Sequence, residues 1–239
     1  EYVDLPKSLM CAGFPIREYD KKIPSNLTAE QILVRSGNIG SVRIVQQVGE
    51  EKFKSFLSKI GILEKIDFDI EEVGKPIKFN WGKCPLATAS FGHGITTTLL
   101  QLAKAYSIVV NGGYQIKPKL VKNNTNEKKE KILSQNLSRE ILPILRKIVS
   151  TKDGTASLAN VNGYEIGGKT GTAEKSTDGE YSNKKINSFV SVFPTSKPKF
   201  VLAVMLDEPK INENYIYHYR DGSNIKYKGT PFNLSLIHI

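Results

Sequence analysis

Gly163-Tyr-Glu-Ile-Gly-Gly-Lys-Thr-Gly-Thr172 admits two readings that lead to different folds. Through Thr170 it matches G-x-x-x-x-G-K-[ST], the spacing of a phosphate-binding loop. Val201-Leu-Ala-Val-Met-Leu-Asp-Glu208 adds the form of an apolar strand ending in acids that assist magnesium. A phosphate loop works only with a buried strand before it and a helix after its Lys-Thr, because the free N–H groups of the helix N-terminus hold the phosphates. Here Leu158-Ala-Asn-Val-Asn162 is too polar for a central parallel strand, and Gly171-Thr-Ala-Glu-Lys-Ser-Thr-Asp-Gly179 is a poor helix former.

Read as a strand, the same residues alternate. Thr170 and Thr172 fall on one side, Lys169 and Gly171 on the other, and Gly167 and Gly168 admit close backbone approach. Such a strand can hold an extended peptide. Two hydroxyls and an ammonium suit a terminal carboxylate, and a backbone N–H suits an oxyanion. An ordinary lysine at a strand end explains the tripeptide taken alone, so the rest of the chain has to arbitrate.

Downstream, Glu165 to Glu174, Asn187 to Phe193 and Lys199 to Leu206 read as three strands, with turns at Thr177-Asp-Gly179 and Pro194-Thr-Ser196. Such short links predict antiparallel pairing and leave no crossover helix for a parallel nucleotide-binding sheet. Upstream the period is helical. Thr28-Ala-Glu-Gln31 is a capping box opening a helix. Gly37 and Gly40 interrupt it, and Val42, Val45 and Val48 resume it, which predicts two helices meeting at Ser36-Gly37-Asn38. Further helices are expected from Glu51 to Ile60, from Thr97 to Val110, and from Ser138 to Val149, where Pro143 is expected to kink the helix or delay its start. Helices first and a meander afterwards predict an α+β fold with helices packed on an antiparallel sheet.

Composition narrows the class without naming a function. At 239 residues and 39% hydrophobic, the chain can bury a proper core. No stretch approaches the roughly 18 apolar residues that span a bilayer, and Glu1-Tyr-Val-Asp4 is not a signal peptide. Cys11 and Cys84 have neither C-x-x-C spacing nor nearby histidines, so no metal or redox motif is read and their role stays open. The net charge of +10 is spread over 34 scattered Lys and Arg; the densest run, Glu127 to Lys131, reads as a solvated loop and nucleic acid is not expected.

Several segments together resemble the transpeptidase domain of penicillin-binding proteins, above all the division-type class B peptidoglycan D,D-transpeptidases. They are Val34-Arg-Ser-Gly-Asn-Ile-Gly-Ser-Val42, Ala89-Ser-Phe-Gly-His-Gly-Ile95, the helix Leu99-Leu-Gln-Leu-Ala-Lys-Ala-Tyr106, Gly167-Gly-Lys-Thr-Gly-Thr-Ala-Glu174 and Met205-Leu-Asp-Glu-Pro-Lys210, in the family's order. The resemblance implies an α/β/α sandwich of the penicillin-binding and serine β-lactamase type, here incomplete. Of the family motifs S-x-x-K, S-x-N and K-T-G, the second falls on Ser36 and Asn38 and the third on Lys169, Thr170 and Gly171. Ser134-Gln-Asn136 repeats the second by coincidence.

No S-x-x-K precedes Ser36. Ser182 to Lys185, Ser196 to Lys199 and Ser223 to Lys226 have the spacing but follow Lys169 and are read as turns or loops. The expectation is a partial domain over residues 1–233 that begins after the nucleophile and is itself inactive. Leu234-Ser-Leu-Ile-His-Ile239 looks like a non-native tail, encodable by a transposon-end sequence used in library preparation.

The resemblance implies an enzyme that cross-links D-Ala-D-Ala stem peptides of septal peptidoglycan through a serine acyl-enzyme. Ser36 would relay a proton, Asn38 would bind the substrate amide and the catalytic lysine, and Lys169 would orient Ser36. Thr170 and Thr172 would take the terminal carboxylate. Implied with it are β-lactams as inhibitors, divisome or wall-synthesis proteins as partners, no cofactor and no metal, His93 being a loop residue. The expected location is the periplasmic face of the bacterial inner membrane, with a single-pass anchor outside this chain. The rival readings are a D,D-carboxypeptidase or β-lactamase-like hydrolase, a noncatalytic wall-binding scaffold and the phosphate-loop ATPase.

Overall fold

Val3 and Leu27 pair across the first two strands to be joined, and both are buried. Strand β1 (Tyr2–Asp4) lies antiparallel to β4 (Asn26–Thr28), and between them β2 (Leu9–Cys11) and β3 (Phe14–Ile16) form a short hairpin. The computed structural model describes residues 1–70, 74–78, 80–122, 130–177, 180–210, 214, 216–218 and 226–228. They divide into two units, Glu1–Ile141 and Leu142–Ile239.

In the first unit, β4 runs directly into α1 (Ala29–Arg35). Thr28 caps it, its hydroxyl accepting from the Gln31 N–H while Gln31 reaches back to the Thr28 N–H, which is the expected capping box. Then follow α2 (Asn38–Val48), α3 (Glu50–Lys59), α4 (Lys83–Ala89) and α5 (Leu99–Val110). Val3, Leu5, Leu27, Ile32 and Ile39 form one core cluster, and Leu57, Ile60, Ile62 and Ala105 a second.

The buried Gln101 holds the second cluster's loop in place. Its side-chain carbonyl accepts from the Thr98 N–H at 2.9 Å and its amide donates to the Glu64 carbonyl, so a polar group inside the core is satisfied from both ends.

The division between the units falls within α6 (Gln135–Ser150). This helix starts before the expected Ser138 and continues through Pro143, so the proline does not delay it. Ser138 is buried, its hydroxyl donating to the Val109 carbonyl and accepting from the Gly112 N–H.

The second unit carries the meander β5 (Gly167–Thr177), β6 (Glu180–Phe193) and β7 (Phe200–Asp207), antiparallel in the order β5-β6-β7. Its buried residues include Ile148, Val149, Ala156, Phe189, Val190 and Val192. Two short paired strands, β8 (Ile216–His218) and β9 (Lys226–Lys228), follow. The tail 234–239 and most of the charged run Glu127 to Lys131 lie outside the described residues.

Motif spacing gave no sign that Cys11 of β2 and Cys84 of α4 form a disulfide, which joins residues 73 positions apart. Closing so long a loop removes entropy from the unfolded chain. Replacing both cysteines by serine is expected to lower stability by about 2–4 kcal/mol. Denaturant titration of the oxidised protein against this double variant checks it, and equal midpoints would contradict it.

Candidate active site

Ser36 ends α1 with its backbone in the left-handed region, φ 58° and ψ 44°, and its N–H directed at the carbonyls of Ile32 and Leu33. Glycine ordinarily takes that position, because a side chain there costs roughly 1 kcal/mol or more. Gly37 follows in extended conformation as the N-cap of α2, and Asn38 begins that helix. One residue therefore separates the two side chains at the expected junction, and both are half-buried. The helices cross tightly: a Cβ on Gly40 would lie 2.6–2.7 Å from the Ile32 side chain. No residue with a side chain fits there without moving Ile32.

The first half of the second unit positions Lys169. A Cβ on Gly167 would meet the α6 backbone at Leu145 and Arg146, 3.0 Å away, and Thr195 at 2.6 Å. A Cβ on Gly168 would meet the Val190 carbonyl at 2.5 Å. Strand β5 thus lies directly on α6, and Arg146 fastens its entry by donating to the Ile166 carbonyl at 2.8 Å and to Asn160 at 2.9 Å.

Lys169 comes next, its ammonium donating to the Thr170 carbonyl at 2.9 Å. Burial pulls its pKa from 10.5 down to about 8. At that value the group carries a proton in neutral solution yet can give it up.

The register Lys169↔Val190, Thr170↔Phe189, Gly171↔Ser188 and Thr172↔Asn187 is unbroken, so Thr170 and Thr172 share a face. Thr170 is half-buried, with its hydroxyl 2.9 Å from that of Thr155, whereas Thr172 is exposed. Gly171 stands against the Ser188 hydroxyl, which a Cβ would approach to 2.6 Å. Because β5 is the end strand of its sheet, its other edge has no partner strand among the described residues. An open strand edge is where an extended peptide can add as a further strand.

These surroundings exclude a phosphate loop. A 3-10 turn, Ser157–Ala159, precedes the segment instead of a strand, and Lys169-Thr170 continue into strand rather than helix. Asp207 and Glu208, the supposed magnesium acids, both bind the Lys175 ammonium at 2.9 Å, and Glu208 also pairs with Lys184 at 3.2 Å. Those hydrogen bonds hold the Glu208 carboxyl below its usual pKa.

Two sequence expectations need correcting or completing. Ser182 to Lys185 lies inside β6 and not in a turn or loop, while Ser196 to Lys199 does sit in the connection between β6 and β7. Ser134 of the duplicate Ser-x-Asn accepts from the Asn136 N–H at 3.2 Å at the start of α6, where it serves that helix end. Ser36 and Asn38 come together in the first unit, and Lys169, Thr170, Gly171 and Thr172 in the second. Thr155, in the Gly154-Thr-Ala156 turn, was not singled out; its role depends on a contact 15 residues away that carries no short motif.

Residues 4–224 match the family model described as the penicillin binding protein transpeptidase domain. Among curated proteins, the chain is similar to the probable peptidoglycan D,D-transpeptidase FtsI of Caulobacter vibrioides. Identity is 30% over 200 residues, covering 79% of this chain and 34% of that protein. It is also similar to the stage V sporulation protein D of Bacillus subtilis, 33% identical over 196 residues, covering 75% of this chain and 30% of that one. Among solved structures, the transpeptidase domain of penicillin-binding protein 3 from Burkholderia pseudomallei superposes with a TM-score of 0.80 at 29% identity. That superposition covers 87% of this chain and 64% of the other. The chain therefore spans about a third of the length of the curated relatives it matches.

Burial of Lys169 has a measurable consequence. Its folded value lies below the unfolded 10.5, so between about pH 8 and pH 10.5 the unfolded chain binds the proton more tightly and this group makes stability rise with pH. NMR titration of carbon-13 reductively methylated lysines should resolve one resonance, lost in Lys169→Arg, that titrates near 8. A titration near 10.5 would show that the ammonium is solvated.

Proposed function

The chain belongs to the penicillin-binding protein transpeptidase family, and from that premise we propose that it is part of a peptidoglycan D,D-transpeptidase of septal wall synthesis. The observation that carries this reading is Lys169-Thr-Gly-Thr172 on an edge strand, with the Thr170 and Thr172 side chains on one face and the Lys169 ammonium on the Thr170 carbonyl. A stem peptide ending in D-Ala-D-Ala would lie along that edge as an added strand, its terminal carboxylate taken by the Thr170 and Thr172 hydroxyls. The field of Lys169 would favour that anion. A β-lactam, whose carboxylate and acyl group mimic the dipeptide, would occupy the same positions.

The chemistry is ping-pong acyl transfer. A serine hydroxyl adds to the penultimate D-alanine carbonyl, the C–N bond breaks, and D-alanine leaves with a proton relayed through Ser36. The amine of a second stem peptide then adds to the acyl-serine and releases the serine. Asn38 would hydrogen-bond the substrate amide. No S-x-x-K precedes Ser36 in residues 1–239, so the nucleophile is assigned to none of them.

The Cys11–Cys84 disulfide supports an oxidising compartment such as the periplasm, where such bonds persist. Among the described residues, no helix is long and apolar enough to cross a membrane. A membrane anchor and divisome partners belong to the proposal for the whole protein.

The test uses the product of the complete gene, a donor peptide ending in D-Ala-D-Ala and an acceptor stem peptide. Cross-linked dimer and free D-alanine are expected in equal amounts, with Lys169→Ala lowering the rate by roughly 100-fold or more. Release of D-alanine without dimer would assign a carboxypeptidase instead. ATP binding that depends on Lys169 would overturn the reading altogether.

A further inference from the structure

The helix that carries Asn38 is capped from a distant part of the chain. Gly37, its N-cap residue, makes no side-chain hydrogen bond to the helix. The first N–H groups of a helix need acceptors, and its positive end favours an anion. The Glu18 carboxylate meets both needs: Oε2 accepts from the Asn38 N–H at 2.7 Å, and Oε1 from the Ile39 N–H at 2.9 Å.

The neighbouring residue holds the Asn38 side chain. Asn38 Nδ2 donates to the Arg17 carbonyl at 3.0 Å. A carbonyl only accepts, so this contact fixes which way the Asn38 amide faces and leaves Oδ1 and one N–H for other partners.

The segment that does this is itself tied down. Asp20 pairs with Arg35, in the last turn of α1, at 2.9 Å. Just ahead of Arg17, the β2–β3 hairpin is joined through Cys11 to Cys84 of α4. Residues 17–20 therefore grip the end of α1 and the start of α2, one turn on either side of the left-handed Ser36.

We propose that Glu18 is a positioning residue for the Ser36–Asn38 junction: by fixing the first turn of α2 it sets the direction of the Asn38 amide and the Ser36 hydroxyl. This rests on the acyl-transfer reading above. Glu18 touches no reacting atom in that reading and acts through the helix it caps.

Glu18→Gln leaves one acceptor oxygen and turns an amide NH₂ toward a backbone N–H, so one of the two helix amides loses its acceptor. Glu18→Asp keeps the carboxylate. Each variant of the complete gene product is treated with a fluorescent penicillin at a temperature where circular dichroism reports it fully folded, and noncovalent affinity is resolved from the acylation rate constant. For Glu18→Gln the rate constant should fall roughly tenfold to 100-fold, as small misplacements of reacting groups do. Its noncovalent affinity should stay within about twofold, and Glu18→Asp should recover most of the rate.

A folded Glu18→Gln protein acylating at the unsubstituted rate would reduce Glu18 to a helix cap and overturn the proposal. So would equal losses in rate for Gln and Asp. Failure of the unsubstituted protein to acylate would instead overturn the acyl-transfer reading, and this proposal with it.

Discussion

Strand β5 has no room for a side chain at its first two residues, and the second unit is organised by that contact. The backbone of α6 at Leu145 and Arg146 occupies the space a Cβ on Gly167 would need. The same helix receives the following turn: the Ala156 N–H donates to the Ile148 carbonyl at 3.1 Å, and a Cβ on Gly154 would lie 2.0 Å from that oxygen. Turn and strand are pinned to one helix, which is why Thr155 and Thr170 meet hydroxyl to hydroxyl. Burial lowers the pKa of Lys169 to about 8.

The first unit uses the same means for a different end. Gly40 lets α1 and α2 cross with Ile32 against the backbone. The chain reverses between them in two residues, one of which, Ser36, takes a backbone conformation that glycine would adopt more easily. Serine there carries a backbone cost of roughly 1 kcal/mol and supplies a hydroxyl two residues before Asn38. Glycine, which would relax the backbone, would also remove the hydroxyl.

Much of this was legible in the sequence because it depends on near neighbours. The Thr28–Gln31 capping box, the helix junction at Ser36-Gly-Asn38, the period-two strands after Gly163 and the antiparallel links between them are all local. The resemblance to transpeptidase domains rested on the order of several such segments, and it holds. Residues that work at a distance could not be read. The Cys11–Cys84 bond closes 73 positions, Glu18 caps a helix 20 residues away, and Lys175 pairs with Asp207, 32 positions on, and with Glu208. Of the two effects expected of Pro143, the late start did not occur: α6 begins at Gln135 and runs through it, with Leu145, Ile148 and Val149 buried along the same helix.

Gly163–Thr172 spells a phosphate loop, yet Gly167–Thr172 within it lie on the end strand of an antiparallel sheet, the proposed seat of the substrate peptide. A crystal structure of the complete gene product acylated by benzylpenicillin tests it most directly. The account predicts the ligand's carboxylate within hydrogen-bond distance of the Thr170 and Thr172 hydroxyls and its side-chain amide lying along the open edge of β5. A carboxylate held elsewhere, with that edge of β5 empty, would contradict it.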